Sequence, residues 1–312
     1  MAIRIGTSGF IYDHWRGRFY QPSARGAELE QYARTFDTVE LNVTFYRMPP
    51  SSTFRSWGAR VPDDFLFAVK ASRYLTHVRR LKAPQSSVDL LVERSSELGR
   101  HLGPFLVQLP PDLELDLAAL EATLDAFPPG FRVAVEPRHA SWFVEDVRRV
   151  LTDRNAALCV ADRRGPITPL WQTADWTYVR FHAGRAEPRS CYGAAELERW
   201  AERVEPWGSD PTGFAYFNND GNGCALRDAS AFANALEARG VRVSSSPVVG
   251  DEVVLDPGLF VPDREGRAPV APGRPWGAVG AASRLAAASP PHASAQRRSR
   301  ARREGAGRCQ SH

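Results

Sequence analysis

Lysine, cysteine and long apolar segments are scarce in this 312-residue chain. Only two of its 40 cationic residues are lysines, Lys70 and Lys82. The four cysteines, at positions 159, 191, 224 and 309, show neither a CxxC pair nor the Cys/His spacing of a zinc site. No stretch approaches the roughly 18 apolar residues that span a bilayer, and no signal-peptide core follows Met1. We therefore expect no membrane partner, and a soluble protein in the reducing cytoplasm.

Positive charge is concentrated at the C-terminal end of the chain. Residues 241–312 hold 11 Arg and 6 Asp/Glu, whereas the first 240 residues hold 29 Lys/Arg and 30 Asp/Glu. The nearly neutral larger part gives no bulk electrostatic argument for nucleic-acid or membrane binding. The Arg/Ala/Pro/Gly-rich part is predicted to be a largely disordered tail after a domain at 1–240, with 253–260 as a short strand or plug. Its QRRSRARR segment, at 296–303, either binds an acidic surface or RNA or is a solvated tail without a role.

Eight mostly continuous apolar runs predict strands that are covered on both faces. They lie at 3–7, 38–43, 66–71, 105–109, 132–135, 157–161, 177–181 and 213–217. Helical patterns separate most of them, at 27–35, 51–59, 86–102, 117–126, 143–151, 194–204 and 228–236. Ser51 and Asp228 are predicted to cap their helices. Only 163–175, with two prolines, is predicted to be a loop without a helix.

Eight βα repeats in about 240 residues predict an α/β fold, the (β/α)8 TIM barrel. A doubly wound open sheet is the alternative. It is disfavoured because the glycines at 6 and 9, after the first strand, do not form a GxGxxG phosphate turn.

The apolar runs end on side chains that are costly to bury. Lys70, Glu136 and Asp162 each end one run, and Arg180 with His182 ends another. Because a buried charge costs several kcal/mol unless it is paired or solvated, such residues rarely recur at one position by accident. The carboxyl ends of parallel strands meet at one edge, where α/β proteins place their sites. The pattern therefore predicts a site at the barrel mouth, without naming its reaction.

Several short sequence segments, occurring in a fixed order, resemble segments of the YecE-like domain of unknown function. They are IGTSGFIYDHWRGRFY (5–20), FDTVELNVTFYRMP (36–49), FAVKASRYLTHVRRL (67–81), LVQLPP (106–111), VAVEPRHASWF (133–143), ALCVAD (157–162), YVRFHAG (178–184) and AYFNND (215–220). The resemblance spans residues 3 to about 238 and implies a TIM barrel, but it supplies no activity. The tail at 241–312 and the loop at 221–225 depart from the family pattern.

Four residues are candidates for catalysis: Glu136, Glu40, Asp162 and His182. The two glutamates are suited to general acid/base work, or to the carboxylate pair of a glycosidase. Glu136, Asp162 and His182 would also be the ligands of a divalent metal, if one is bound. The structural alternatives are that Glu136 pairs with Lys70, Arg138 or Arg180 in a buried network and that His182 is neutral and hydrogen-bonded to a carboxylate.

Cations and amides at the strand ends predict an anionic ligand, since arginine forks bind phosphate or carboxylate. Lys70 either makes a salt bridge or phosphate contact, which we favour, or forms a Schiff base in a dry pocket. The arginines would alternatively neutralise the carboxylates internally. The candidate binding residues are Lys70, Arg138, Arg180, Asn42, Gln108, Asn218, Asn219, Asp220 and Tyr46.

The sequence thus favours an enzyme, and hydrolysis of a phosphorylated or nucleotide-like substrate is the first reaction class to test. Metal-assisted phosphodiester cleavage is one version, by fold analogy alone. The alternatives are a non-catalytic module that binds nucleic acid or a phosphometabolite, and a two-carboxylate glycosidase.

Overall fold

The predicted eight-stranded parallel barrel is confirmed. The computed structural model describes residues 2–23, 25–163, 168–207, 212–250 and 253–254. Within them, each strand pairs in parallel with the next, and β1 pairs with β8 to close the barrel. The strands are β1 Ile3–Ser8, β2 Thr38–Leu41, β3 Leu66–Lys70, β4 Leu102–Gln108, β5 Val133–Glu136, β6 Ala157–Asp162, β7 Trp176–Phe181 and β8 Thr212–Phe217.

Helices surround the barrel, and all except the short α2, which was not predicted, lie close to the predicted positions. They are α1 Glu28–Tyr32, α2 Val43–Tyr46, α3 Ser51–Gly58, α4 Gln85–Ser95, α5 Leu117–Asp125, α6 Glu145–Asp153, α7 Ala194–Val204 and α8 Cys224–Ala238. The helix predicted at 86–102 is too long. After α4 the chain continues as a 3-10 helix, in which Gly99 has φ 57°, and Leu102 already begins β4. A positive φ is incompatible with a continuing α-helix, so the chain turns there.

Both predicted helix caps are wrong. Ser51 is the first helical residue of α3, and Pro50 precedes it without a side-chain cap. Helix α8 begins at Cys224, so Asp228 lies one turn inside it. There Asp228 is buried, and its Oδ2 accepts hydrogen bonds from the backbone N of Tyr192 (2.8 Å) and from Asn219 Nδ2 (2.7 Å). It therefore joins α8 to the loop after β7 instead of capping the helix.

Two layers of side chains form the core, because successive residues of a strand point to opposite faces. Alternate residues fill the barrel interior: Ala68, Leu106, Ala134, Ala157, Cys159, Trp176, Tyr178, Phe214 and Tyr216. On β6, Leu158 and Val160 belong instead to the outer layer, which also contains the apolar residues of the helices. The same alternation decides which strand-end residues reach the barrel mouth.

Residues after α8 continue along the barrel. The N–H of Ile3 donates to Arg242 O (2.9 Å), and the N–H of Ser244 donates to Ile3 O (3.0 Å). Val241 and Val253 are buried. The predictions for 251–252 and 255–312, including the tail and the basic segment at 296–303, lie outside the described residues, as does most of the predicted strand or plug at 253–260. In the predicted loop at 163–175, the described residues contain no helix.

A disulfide joins Cys191, in the loop after β7, to Cys224 at the start of α8. Disulfides are more typical of oxidising compartments than of the reducing setting expected from the sequence, so the cytoplasmic location stays a prediction. Cys159 is a buried free thiol in the barrel interior. Among the helices of the described residues, none is long and apolar enough to cross a membrane.

Candidate active site at the barrel mouth

The inward-facing residues at the carboxyl ends of the strands form one polar layer above the apolar interior. This layer contains Ser8, Glu40, Lys70, Gln108, Glu136 and Arg180, the inward residues nearest the ends of β1, β2, β3, β4, β5 and β7. All six are buried. The geometry therefore brings together polar residues that are up to 172 positions apart in the chain.

Arg180 is the centre of this layer and binds two glutamates. Its Nε and Nη2 donate to Glu40 Oε2 and Oε1 (2.9 and 2.7 Å), and its Nη1 donates to Glu136 Oε2 (2.7 Å). Glu40 also accepts hydrogen bonds from Ser8 Oγ (2.8 Å) and Tyr178 OH (2.7 Å). Burial is the largest influence and opposes ionisation of Glu40, but the charge and hydrogen bonds of Arg180, together with Lys70 and Tyr178, hold the pKa of this carboxyl below its usual value.

Glu136 is equally enclosed. Gln108 Nε2 donates to its Oε2 (2.9 Å), Arg138 Nε donates to its Oε1 (3.3 Å), and His182 Nε2 lies 3.2 Å from Oε1. Burial again opposes ionisation, yet Arg180, the hydrogen-bonded His182 and Arg138 together hold its pKa well below the usual range. The buried network that the sequence left as an alternative is therefore present. Both glutamates are carboxylates at neutral pH and have no proton to give.

Lys70 does not make the salt bridge that the sequence favoured. Within the described part of the chain, its Nζ has no hydrogen bond or ion pair and lies 4.4 Å from the ring centroid of Phe45. The physical reason is that Arg180 already occupies Glu40 and Glu136. Burial, reinforced by the charge of Arg180, lowers the pKa of Lys70 to about 7. The predicted alternatives of a phosphate contact and a Schiff base both stay open.

Donor groups lie around the outer edge of this layer. Asn218 Nδ2 is 3.2 Å from His182 Nδ1, and burial lowers the pKa of His182 despite the neighbouring Glu136. The Arg138 side chain is 27% exposed, and its two terminal nitrogens have no hydrogen bond to any described residue. Arg163 donates from Nη2 to Pro137 O (3.1 Å), while its buried Nε has no partner among the residues described. These groups can donate to a ligand above the layer.

Two predicted site residues face away from the mouth. Asp162 ends β6, but it follows Leu158 and Val160 on the outer face, where its Oδ2 accepts from Trp200 Nε1 of α7 (3.1 Å). Asn219 donates to Ser190 O (2.9 Å) and to Asp228, behind β8. The prediction that Asp162 and Asn219 lie with the other strand-end residues at the mouth is therefore wrong. Each lies one position away from a residue that faces the barrel interior, so its side chain points outward.

Three further candidates lie beside the layer but outside its network. The buried Asp220 contacts His14 of the loop after β1 through Oδ2 (2.9 Å). Asn42, at the start of α2, has a buried Oδ1 without a hydrogen bond to any described residue. Tyr46 is 61% exposed and packs edge-on against Phe45. Their roles in ligand binding stay predictions.

The three candidate metal ligands do not come together. Asp162 is on the outer face of β6, and both oxygens of Glu136 are held by nitrogen donors. Within the described residues, no group of three or more His, Cys, Asp or Glu side chains has the arrangement of a metal site. The set Glu136, Asp162 and His182 therefore does not fit a bound divalent ion.

Sequence reasoning missed Ser8, Tyr178 and Phe45 as partners of the charged groups. Tyr178 could have been predicted from the sequence, since it precedes Arg180 by two residues on the same strand and must share its face. Ser8 and Phe45 were not, because their partners are fixed by strand register and by a loop.

Comparisons with known proteins agree with this architecture. The sequence model of a family described as "Protein of unknown function DUF72" matches residues 4–250. UPF0759 protein YecE of Escherichia coli is 32% identical over 142 residues, which are 44% of this chain and 52% of that protein. UPF0759 protein YunF of Bacillus subtilis is 31% identical over 130 residues, 41% of each chain. The matched region thus spans about half the length of these curated relatives or less.

Solved structures extend the similarity over more of the fold. A DUF72 family protein from Thermotoga maritima has a TM-score of 0.67 and 28% identity, covering 76% of this chain and 100% of that one. A DUF72 family protein from Enterococcus faecalis has a TM-score of 0.65 and 21% identity, covering 75% and 95% of the two chains. The second similarity concerns the fold alone.

Proposed function

Because the chain belongs to the family described as protein of unknown function DUF72, whose description assigns no activity, we propose a function from its own site. The resemblance predicted from the sequence segments is thereby confirmed. The proposal is that the protein is an enzyme whose barrel mouth binds the anionic group, most simply a phosphate, of a small substrate. Lys70, Arg138, Arg163, His182 and Asn218 would contact that group or orient the substrate.

One observation carries the proposal, namely the charge balance of the mouth. Arg180 offsets part of the charge of Glu40 and Glu136, and Arg138 offsets more of it through a single contact. Lys70 and Arg163 then remain without a described carboxylate partner. A cationic surface above buried carboxylates favours an anion, and partly desolvated charge-assisted hydrogen bonds are about twice as strong as neutral ones.

Proton transfer at this site is better suited to His182 than to the glutamates. A general acid must carry a proton near neutral pH, which the ionised Glu40 and Glu136 do not. The glycosidase alternative needs such an acid and is therefore less well supported. His182 contacts Glu136 and Asn218 and is about 10% exposed, so it combines a proton site with access to a ligand. Because burial lowers the pKa of His182, its imidazole is neutral at neutral pH and can accept a proton. Hydrolysis of a phosphorylated substrate, with His182 as the general base that takes a proton from water, is the reaction class to test first.

The test compares two arginines from opposite ends of β5. Inorganic phosphate is titrated calorimetrically into the full chain at low salt. Arg138→Ala should weaken binding about tenfold or more, because it removes a charge-assisted contact. Arg132→Ala removes the same charge at the amino end of β5 and should leave the affinity within about twofold. Equal losses in both variants, or no phosphate binding by the unaltered protein, would refute the proposal.

A second candidate, nucleotide or single-stranded nucleic-acid binding, is favoured by two exposed rings beside the mouth. Tyr46 and Tyr74 are 61% and 56% exposed, and each adjoins an exposed arginine, Arg47 and Arg73. Exposed rings beside cations can stack on bases, each stack contributing about 1–3 kcal/mol. Tyr46→Ala and Tyr74→Ala should then weaken binding of AMP but not of inorganic phosphate. Equal affinities for AMP in all three proteins would exclude stacking.

A further inference from the structure

Lys70 differs from Arg138, Arg163 and Arg180 in having no polar partner among the described residues. It is the last residue of β3, its side chain is inward-facing and only 8% of the residue is exposed. Its Nζ lies over the ring of Phe45, and its backbone is fixed by Thr44 Oγ1, which donates to Lys70 O (2.6 Å). The amine is therefore held at the end of a rigid strand, on the boundary between the apolar ring and the polar layer.

The absence of a partner is informative because carboxylates are close by. Glu40 and Glu136 both influence Lys70 electrostatically, yet both are bound to Arg180. A buried ammonium without hydrogen bonds is costly, whereas a neutral amine in the same place costs much less. Arg180 thus fills the role of counter-ion for the glutamates and leaves Lys70 with an environment that favours the uncharged form.

Burial, followed by the charges of Arg180 and Arg138, lowers the pKa of Lys70 from about 10.5 to about 7. About half of the amine is then uncharged at pH 7, compared with about three in ten thousand for an ordinary lysine. An uncharged amine is a nucleophile, and desolvation beside other cations is a known way of activating lysine.

We propose that Lys70 Nζ forms a Schiff base with the carbonyl carbon of an aldehyde or ketone that carries an anionic group. The anionic group would bind Arg138 and the unpartnered Nε of Arg163, so this inference rests on the proposed function and adds the substrate class. The ring of Phe45 lies 4.4 Å from the amine and bounds it on one side. Lys70 is then the catalytic residue, and Arg180 is a positioning residue that keeps the glutamates away from the amine.

The step needs one proton from the solvent and no other reactant. The neutral amine attacks the carbonyl carbon, a C–N bond forms, and one of the two amine protons moves to the carbonyl oxygen to give a carbinolamine. The C–O bond then breaks, and the oxygen leaves as water with that proton and with a second proton from the solvent, while the nitrogen keeps its other proton. The product is a protonated imine. His182, between Glu136 and Asn218, is positioned to hold the proton that moves between oxygen and nitrogen.

Because the whole chain has two lysines, the test has an internal control in the same molecule. The protein is incubated with glyoxylate, a small anionic aldehyde, and cyanoborohydride, and carboxymethylation of Lys70 and of the exposed Lys82 is measured by peptide mass spectrometry. Lys70 should react more than about tenfold faster than Lys82. Its rate should rise with pH through about 7, saturate with glyoxylate and fall when inorganic phosphate is added.

Two comparisons separate this inference from simple anion binding. Acetaldehyde, the neutral counterpart, should label Lys70 more slowly than glyoxylate does. Lys82→Arg, a change at the exposed lysine outside the site, should leave both phosphate binding and the adduct at position 70 unchanged. Phosphate binding without preferential labelling of Lys70 in the unaltered protein would overturn the Schiff base and leave the proposed function standing. Absence of both would overturn the two together.

Discussion

Arg180 and Glu40 form a two-pronged ion pair inside the barrel, with Nε and Nη2 of the guanidinium 2.9 and 2.7 Å from the two carboxylate oxygens. Both side chains are essentially inaccessible to solvent. A pair of this kind adds little net stability as a whole, because both charges lose their hydration. Removing one member, in contrast, leaves the other charged and buried. The third member, Glu136, makes Arg180 the residue on which two carboxylates depend.

Replacing Arg180 should therefore destabilise the fold strongly. We expect Arg180→Met to lower the free energy of unfolding by about 3–5 kcal/mol, measured by urea denaturation at pH 7. Arg138→Met is the control, since Arg138 is partly exposed and makes only one contact with Glu136. It should cost less than about 1 kcal/mol. Similar losses in the two variants would show that the buried triad does not depend on Arg180.

Lys70 should make stability depend on pH in a defined window. The unfolded chain binds a proton at this lysine up to about pH 10.5, but the folded chain binds it only up to about pH 7. Between these values the unfolded state holds more protons, so stability should rise with pH there. Lys70→Met should remove this slope and be the more stable protein by a few kcal/mol at pH 7 and below.

Lys82→Met provides the matched control for this pH dependence, because Lys82 is exposed. Its urea midpoint should follow that of the unaltered protein at every pH. If the curves of Lys70→Met and the unaltered protein run parallel from pH 6 to pH 10, the amine of Lys70 is not desolvated.

Asp228 should behave as a buried acceptor and not as a helix cap. Asp228→Asn replaces one oxygen by an NH2 group that faces donors from Tyr192, Asn219 or Arg227, and should cost about 1–3 kcal/mol in chemical denaturation. The same substitution at Asp116, a true cap that accepts from Ala119 N (3.0 Å), should change stability by a few tenths of a kcal/mol. A cost at Asp116 equal to that at Asp228 would count against this assignment.

Asp162 should have no part in ligand binding. In Asp162→Asn the side-chain oxygen can still accept from Trp200, so the fold is preserved. We expect its affinity for inorganic phosphate to stay within about twofold of the unaltered protein, because the side chain lies behind the barrel wall. An affinity loss as large as that expected for Arg138→Ala would place Asp162 in the site after all.

The β strands were predictable because they are buried on both faces, so their sequences are continuous apolar runs. A continuous run does not show which of its residues face the barrel interior, so the orientation of the last residue of each strand could not be predicted. Asp162 and Glu136 both end such runs, yet the first faces the helices and the second faces the barrel interior. In β7 the sequence did suffice, because Arg180 and His182 are two residues apart and share a face.

The sequence by itself determined the element order, the barrel and the concentration of charge at the strand ends, since these follow from local patterns of hydrophobicity. Only the tertiary structure decided which charges meet. Glu40 and Arg180 are 140 positions apart, and the cysteines of the disulfide are 33 apart. The folding of the chain into a closed barrel brings these residues, which are distant in sequence, into contact. The state of Lys70 was decided in the same way, because its pKa depends on what surrounds the amine and not on its neighbours in the chain.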